Sequence, residues 1–202
     1  MVVSVNRRTE KKARTRRSLQ EAAFRLFLEQ GYEGTTVARI AEEAGVSHMT
    51  FFRHFPTKED VVLQDEYDPM LEELVRAQPA DAPPLDRVRA AVRIGFGEVY
   101  ARDRESLLRR CRLILGVPVL RARIADSMAS SRTAFERGLS APEEYDDPPL
   151  WARAVAAACT AALAVAVVRW AEDDGDTELP DLVDEVFDAL SASPAPVQGK
   201  RP

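Results

Sequence analysis

Histidine and cysteine are nearly missing from this chain of 202 residues, which holds two of each. So few histidines leave no obvious general base, and Cys111 and Cys159 have no partner at metal-ligand spacing, so neither a metal nor a cofactor is expected. Both cysteines stand in apolar helical surroundings, which predicts buried, inert thiols and fits a reducing cytoplasm. Glycine is also scarce, at nine residues, and neither a glycine-rich phosphate loop nor a nucleophile elbow is present, which argues against an enzyme. Long apolar runs are absent as well. Ala154 to Val168 lies between Arg153 and Arg169 and is too short for a span of about 20 residues, so no membrane partner is expected and a helix buried on nearly all sides is. The amino end has charge but no apolar run behind it, so no secretory signal is read.

What is present is ordinary globular material, 46% hydrophobic and 30% charged, in a chain long enough to bury roughly 70% of its unfolded surface. The net charge of −5 would disfavour nucleic acid, but its distribution reverses that inference. Residues 1–60 carry 11 Lys and Arg against 8 Asp and Glu, whereas the remainder carries 17 against 25. Within the basic end, Arg7, Arg8, Lys11, Lys12, Arg14, Arg16 and Arg17 oppose Glu10 alone, a run suited to phosphates through counterion release. A solvated tail is the alternative reading of such a run.

Residues 35–58, TTVARIAEEAGVSHMTFFRHFPTK, explain why the run matters. Val37, Ile40, Ala41 and Ala44 recur at helical spacing, and Gly45 supplies the freedom of a tight turn. Ser47 can accept from the free amides of a second helix, Met49 to Phe55, too short to be stable unless packed and presented. A presented short helix with polar and basic side chains suits the major groove. Phe51 and Phe55 fall on its packing face. Two histidines without nearby ligands, His48 and His54, make a poor metal site.

Helical periodicity continues to the end, predicting an all-α chain of nine helices. The first begins between Thr9 and Thr15 with a fraying start and ends at Gly31. The fourth opens on a capping-box variant, Thr57 with Asp60, and runs on through Leu74 as a connecting rod. Leu85 to Val99 mark the fifth, Leu107 to Leu115 the sixth, Leu120 to Phe135 the seventh, 150–172 the eighth and Leu179 to Leu190 the ninth. A basic arm over 1–11 and a disordered tail over 192–202 bound the helical part.

Thr35-Thr36-Val37, Ile40-Ala41, Ala44-Gly45-Val46-Ser47, Thr50 to Phe55 and Lys58-Glu59 together resemble the TetR family of bacterial transcriptional regulators over roughly residues 12–72. The resemblance implies a DNA-binding domain over 12–72 and a ligand-binding and dimerisation domain over 73–191, in a ligand-responsive regulator, by default a repressor. Such a regulator binds a palindromic operator in double-stranded DNA as a homodimer and is released by a small apolar or acyl-CoA-like effector molecule. Carried over residue by residue, it makes Thr35 and Thr36 phosphate contacts and puts Ser47, His48 and Thr50 at the start of the recognition helix. It sets Arg53 and His54 facing DNA and Lys58 on a phosphate. Phe52 stands where the family most often has tyrosine, so only apolar contact is left there. Met49 replaces a frequent glycine, and its role stays open.

The apolar eighth and ninth helices ask for more partner surface than one protomer supplies, and a symmetric dimer would supply it. Phe96, Tyr100, Leu108, Cys111, Leu115, Met128, Phe135, Trp151 and Val155 are candidates to line an effector cavity, with plain core packing as the alternative for each. Thr50 to Phe55 combined with the arginine-rich sixth helix resembles an actinobacterial branch that accepts acyl-CoA-like ligands, although a solvated face also accounts for the arginines. The competing functions are a helical interaction protein, or an enzyme that retains a DNA-binding-like fold.

Overall fold

A computed structural model describes residues 3–64 and 68–192. Its described residues form ten α-helices and one 3-10 turn, with no strand. The order is α1 (Val3–Gln30), α2 (Val37–Glu43), α3 (His48–His54), α4 (Asp60–Leu63), α5 (Asp68–Arg76), α6 (Pro84–Gly116), α7 (Pro118–Ala122), α8 (Ile124–Leu139), the 3-10 turn (Pro142–Glu144), α9 (Leu150–Glu172) and α10 (Leu179–Ser191).

Two compact units emerge. The first joins residues 3–64 to Gly116–Arg123, and the second joins 68–115 to 124–192. In the first, α1 packs on α2 and α4, and α2 on α3. Leu19, Ala22, Ala23, Leu26 and Phe27 of α1 are buried, as are Ile40, Phe51, Phe55, Val61, Val62 and Leu120. In the second, α5 packs on α8, α8 on α9 and α9 on α10. Phe135, Ala152, Ala156, Cys159, Trp170 and Phe187 are among its buried core. Arg89 of α6 ties α10 in place through Asp184 at 2.9 Å and Asp188 at 2.5 Å.

Several boundaries differ from those read in the sequence. The first helix starts at Val3, not after Thr9. Lys, Arg and Glu are good helix formers, and the Thr15 hydroxyl donates back to the Lys11 carbonyl at 3.0 Å, so the basic run is helical from Val3 onward. The expected rod is broken, because Gln64 takes an extended conformation (φ −83, ψ 126) and ends α4 after one turn. The fifth and sixth helices run together as α6 across a kink at Asp103 (φ −158, ψ 68). There the Asp103 carboxylate accepts from the Ser106 amide at 3.0 Å and restarts the helix as a cap would. The seventh is split at Arg123 into α7 and α8. The eighth and ninth lie where periodicity put them, and the carboxy-terminal tail from 193 falls outside the described residues.

Nor is α9 buried on nearly all sides. It has 23 residues and is long and apolar enough to cross a bilayer by length and composition alone. One face enters the core, while Leu150, Ala154, Ala157, Ala158, Ala161 and Val165 stay exposed along another.

Close helix approach fixes the second unit. A Cβ added at Gly138 of α8 would meet Val75 Cβ at 2.7 Å and the Glu72 carbonyl at 2.9 Å, whereas one at Gly97 of α6 would meet nothing within 4 Å. Gly138→Ala is therefore expected to cost about 1–3 kcal/mol through overpacking, and Gly97→Ala to be neutral or stabilising by up to about 1 kcal/mol. Thermal melts of the two variants check both.

Candidate nucleic-acid interface

Three local devices build the presented helix. Thr36 caps α2, its hydroxyl accepting from the Arg39 amide at 3.3 Å. Gly45 adopts φ +67, the left-handed conformation that a side chain would resist, and Val46 N donates to the Ala41 carbonyl to close the turn. Ser47 then caps α3, accepting from the Thr50 amide at 3.2 Å. Phe51 points inward, fully buried, with Phe55 at 5.8 Å and Phe52 edge-on at 5.5 Å between ring centroids.

The far end of α3 is held from α1. Arg16 donates to the His54 carbonyl at 3.2 Å and to Gln64 Oε1 at 3.2 Å, and its guanidinium lies 4.3 Å from the centre of the Phe55 ring. A cation on the last carbonyls of a helix satisfies orphan acceptors and suits the helix dipole. Four residues on, Gln20 Nε2 donates to the carbonyls of Val61 at 3.4 Å and Gln64 at 2.9 Å.

Behind the interface lies a polar support. Lys58 Nζ donates to the carbonyls of Tyr32 at 2.9 Å and Thr35 at 3.2 Å and stands 4.0 Å over the Tyr32 ring. The Tyr32 hydroxyl donates to Glu59 at 2.6 Å. Burial, then this bond, raises the phenol far above its ordinary pKa, so it stays a neutral donor. Burial alone would raise Glu59, but the bonds it accepts and the charge of Arg123 hold it below the ordinary value. The capping box read in the sequence is present: Thr57 N donates to Asp60 at 2.9 Å, and Asp60 N to the Thr57 hydroxyl at 3.2 Å. Arg123, just after α7, donates to Thr57 Oγ1 at 3.0 Å and Asp60 Oδ1 at 3.1 Å.

The expected contact residues separate by position. Thr36, Ser47, His48, Phe52 and Arg53 are exposed, and Thr50, His54 and Lys58 are half-buried. Thr35 is 1% exposed and its hydroxyl donates to the carbonyls of Leu26 and Gly31. A hydroxyl spent inside the fold has no proton for a phosphate, so the Thr35 side chain serves the fold. Thr50 Oγ1 is engaged by Ser47 at 2.9 Å and Arg53 at 3.4 Å. Gln20, Tyr32 and Arg123 are not among the residues the sequence marks as functional. Arg16 was legible only as one more charge in a basic run, and nothing in the sequence links Arg123 to Thr57.

Of the nine candidate cavity residues, Leu108, Cys111 and Phe135 belong to the buried core, with Phe96, Tyr100, Leu115 and Val155 packed against it. Met128 is half-buried, and Trp151 stands 47% exposed at the start of α9. Burial pushes the thiols of Cys111 and Cys159 up to about 11 and about 12, which makes both inert at neutral pH.

A capped short helix presented beside a basic helix, with its core side chains turned inward, defines a helix-turn-helix DNA-binding head. Residues 19–64 match the family described as bacterial regulatory proteins, tetR family, and residues 82–194 match the MftR C-terminal domain. The chain belongs to the TetR family of transcriptional regulators, whose members regulate transcription and are not enzymes. It is 43% identical over 100 residues to the HTH-type transcriptional regulator TcmR of Streptomyces glaucescens, a match covering 48% of this chain and 43% of that protein. The chain thus spans under half the length of that curated relative. Among solved structures it resembles Thermus thermophilus FadR, a TetR family transcriptional repressor in complex with lauroyl-CoA, at 24% identity and TM-score 0.53, covering 91% of this chain and 99% of that one. FadR of Bacillus subtilis in complex with stearoyl-CoA is similar at 19% identity and TM-score 0.54, with 86% and 96% covered. These two likenesses are of fold.

Two measurements probe the support. Arg123→Ala leaves the buried Asp60 carboxylate without this guanidinium, at an expected cost of about 1–3 kcal/mol to the unit holding α1–α4, read by chemical denaturation. His54 is held below its ordinary value of 6.5 by burial first, then by Arg53, Lys12 and Arg16. The unfolded chain therefore takes up a proton below pH 6.5 that the folded unit resists, so stability is full above that pH and falls as pH drops toward the lowered folded value. Melting temperatures at pH 7.5 and 5.5 are expected to diverge more in the wild type than in His54→Asn.

Proposed function

We propose that this regulator is an effector-released repressor that reads a palindromic operator as a homodimer. The observation that carries the DNA half is the outward face of α3, where His48 and Arg53 stand exposed on a helix capped by Ser47 and gripped by Arg16. Thr36, Ser47, His48, Phe52 and Arg53 are the proposed direct contacts. Lys58 spends two of its three protons on Tyr32 and Thr35 and keeps one for a phosphate, and Thr35 supports from inside. The helical basic run of α1 adds sequence-independent attraction.

The exposed apolar stripe of α9, with Leu190 of α10 at 41% exposure, is the proposed dimer face, its alanines allowing close approach. Two heads held about 34–36 Å apart would meet successive major grooves. For release, the coupling element is the segment Gly116–Arg123, which continues α6 on one side and α8 on the other yet belongs to the first unit. A ligand that displaces α6 would act on Thr57 and Asp60 through Arg123 and shift the population of DNA-competent dimers. An acyl-CoA-like effector is supported by what the two FadR proteins hold. Its phosphates would have to displace carboxylates, because Arg104 pairs with Glu178 at 3.5 Å, Arg109 with Glu105 at 2.6 Å and Arg112 with Asp174.

Selection of duplexes from a random pool, followed by binding at two salt concentrations, tests the reading, with enrichment of a palindrome expected. A thermal-shift series with acyl-CoA thioesters tests the effector, for which absence of stabilisation at saturation removes that class. Ala161→Glu is expected to give monomers by light scattering and to weaken operator binding at least tenfold, with no change in the melting of the first unit.

A further inference from the structure

The centre of the outward face of α3 is apolar. With about 100° between successive residues, His48, Phe52, Met49 and Arg53 fall in that angular order on one arc, opposite the buried Phe51. His48 and Arg53 form its edges. Between them Met49 is 75% exposed and Phe52 40% exposed. Phe52 is fixed from two sides, by the edge-on His48 ring at 4.8 Å and by Phe51 at 5.5 Å. Met49 projects beyond it. Thr50, the neighbour whose hydroxyl would otherwise read a base edge, is engaged by Ser47 and Arg53.

A large, flexible apolar side chain held in water at the middle of a reading surface needs an apolar complement. The base edges of the major groove offer one, the 5-methyl group of thymine, the single methyl among their donors and acceptors. We propose that Met49 is a specificity-determining residue that selects a thymine in each half-site by burying its methyl group, with Phe52 as the wall of the contact. The inference rests on the DNA-binding reading above. It goes beyond that reading in naming the base and the atom recognised.

Deoxyuridine lacks only that methyl group, so it isolates the contact. The best duplex recovered from the random pool is resynthesised with thymines replaced by deoxyuridine, one symmetric pair at a time, and titrated with the wild type and with Met49→Ala. Burying a methyl group is worth about fourfold in affinity, so one pair is expected to weaken the wild type on the order of tenfold across two half-sites. The salt slope stays unchanged, because no phosphate contact is touched. Met49→Ala binds the thymine and deoxyuridine duplexes alike, with an unaltered melting temperature. Equal binding of all duplexes by the wild type overturns the inference and leaves the DNA-binding reading standing, and so does a Met49→Ala variant that still discriminates. If no duplex is enriched, both fall together.

Discussion

Seven residues make too few internal hydrogen bonds for a helix to persist alone, and α3 has seven. Its shape is imposed from outside: Ser47 closes the first turn, Phe51 anchors the middle, and Arg16 takes the last carbonyl. The grip by Arg16 matters most, because it comes from another helix and fixes α3 relative to α1. A basic side chain in the run that favours phosphates is thereby removed from the DNA-facing charge and made a structural bolt. Its neighbours Lys12, Arg14 and Arg17 remain exposed or nearly so. One stretch of sequence thus performs two jobs at alternating positions of a single helix.

Behind α3 the polar groups form a connected support. Tyr32, Lys58, Thr35 and Glu59 satisfy one another, and Thr57, Asp60 and Arg123 extend the same network. Polar groups withdrawn from water in part or in full persist when each finds a partner, and a satisfied network specifies one arrangement more sharply than apolar packing. The division of labour follows: groups facing outward have protons to give, and groups facing inward have given them. Thr35 and Thr36, adjacent in sequence, stand on opposite sides of that line.

The fold class and the helix-turn-helix were legible because they rest on short-range rules. Gly45 at a positive φ, the Ser47 cap and the reciprocal Thr57–Asp60 pair all lie within four residues of what they stabilise. Helix ends set by longer-range forces were not legible. Gln64 breaks a sequence that would otherwise continue as a helix, and Arg123 interrupts the stretch between Leu120 and Phe135 where its side chain meets Thr57, 66 residues away. Asp103 interrupts α6 without a glycine or proline to announce it. Burial was readable for Phe51 and Phe55 from their spacing, but the internal use of Thr35 and Lys58 depends on carbonyls that no pattern locates. The outward position of Met49 and Phe52 follows from periodicity once Phe51 is known to point inward.

The first unit is not one uninterrupted stretch of chain. Leu120, fully buried, and Arg123 return to it after about fifty intervening residues that belong elsewhere. Transplanting the reading head onto a foreign effector domain by a cut near residue 65 would leave that patch uncovered and Asp60 without its guanidinium. Swapped hybrids within this architecture must therefore carry the 116–123 segment, with α7, along with the head, as a two-piece graft.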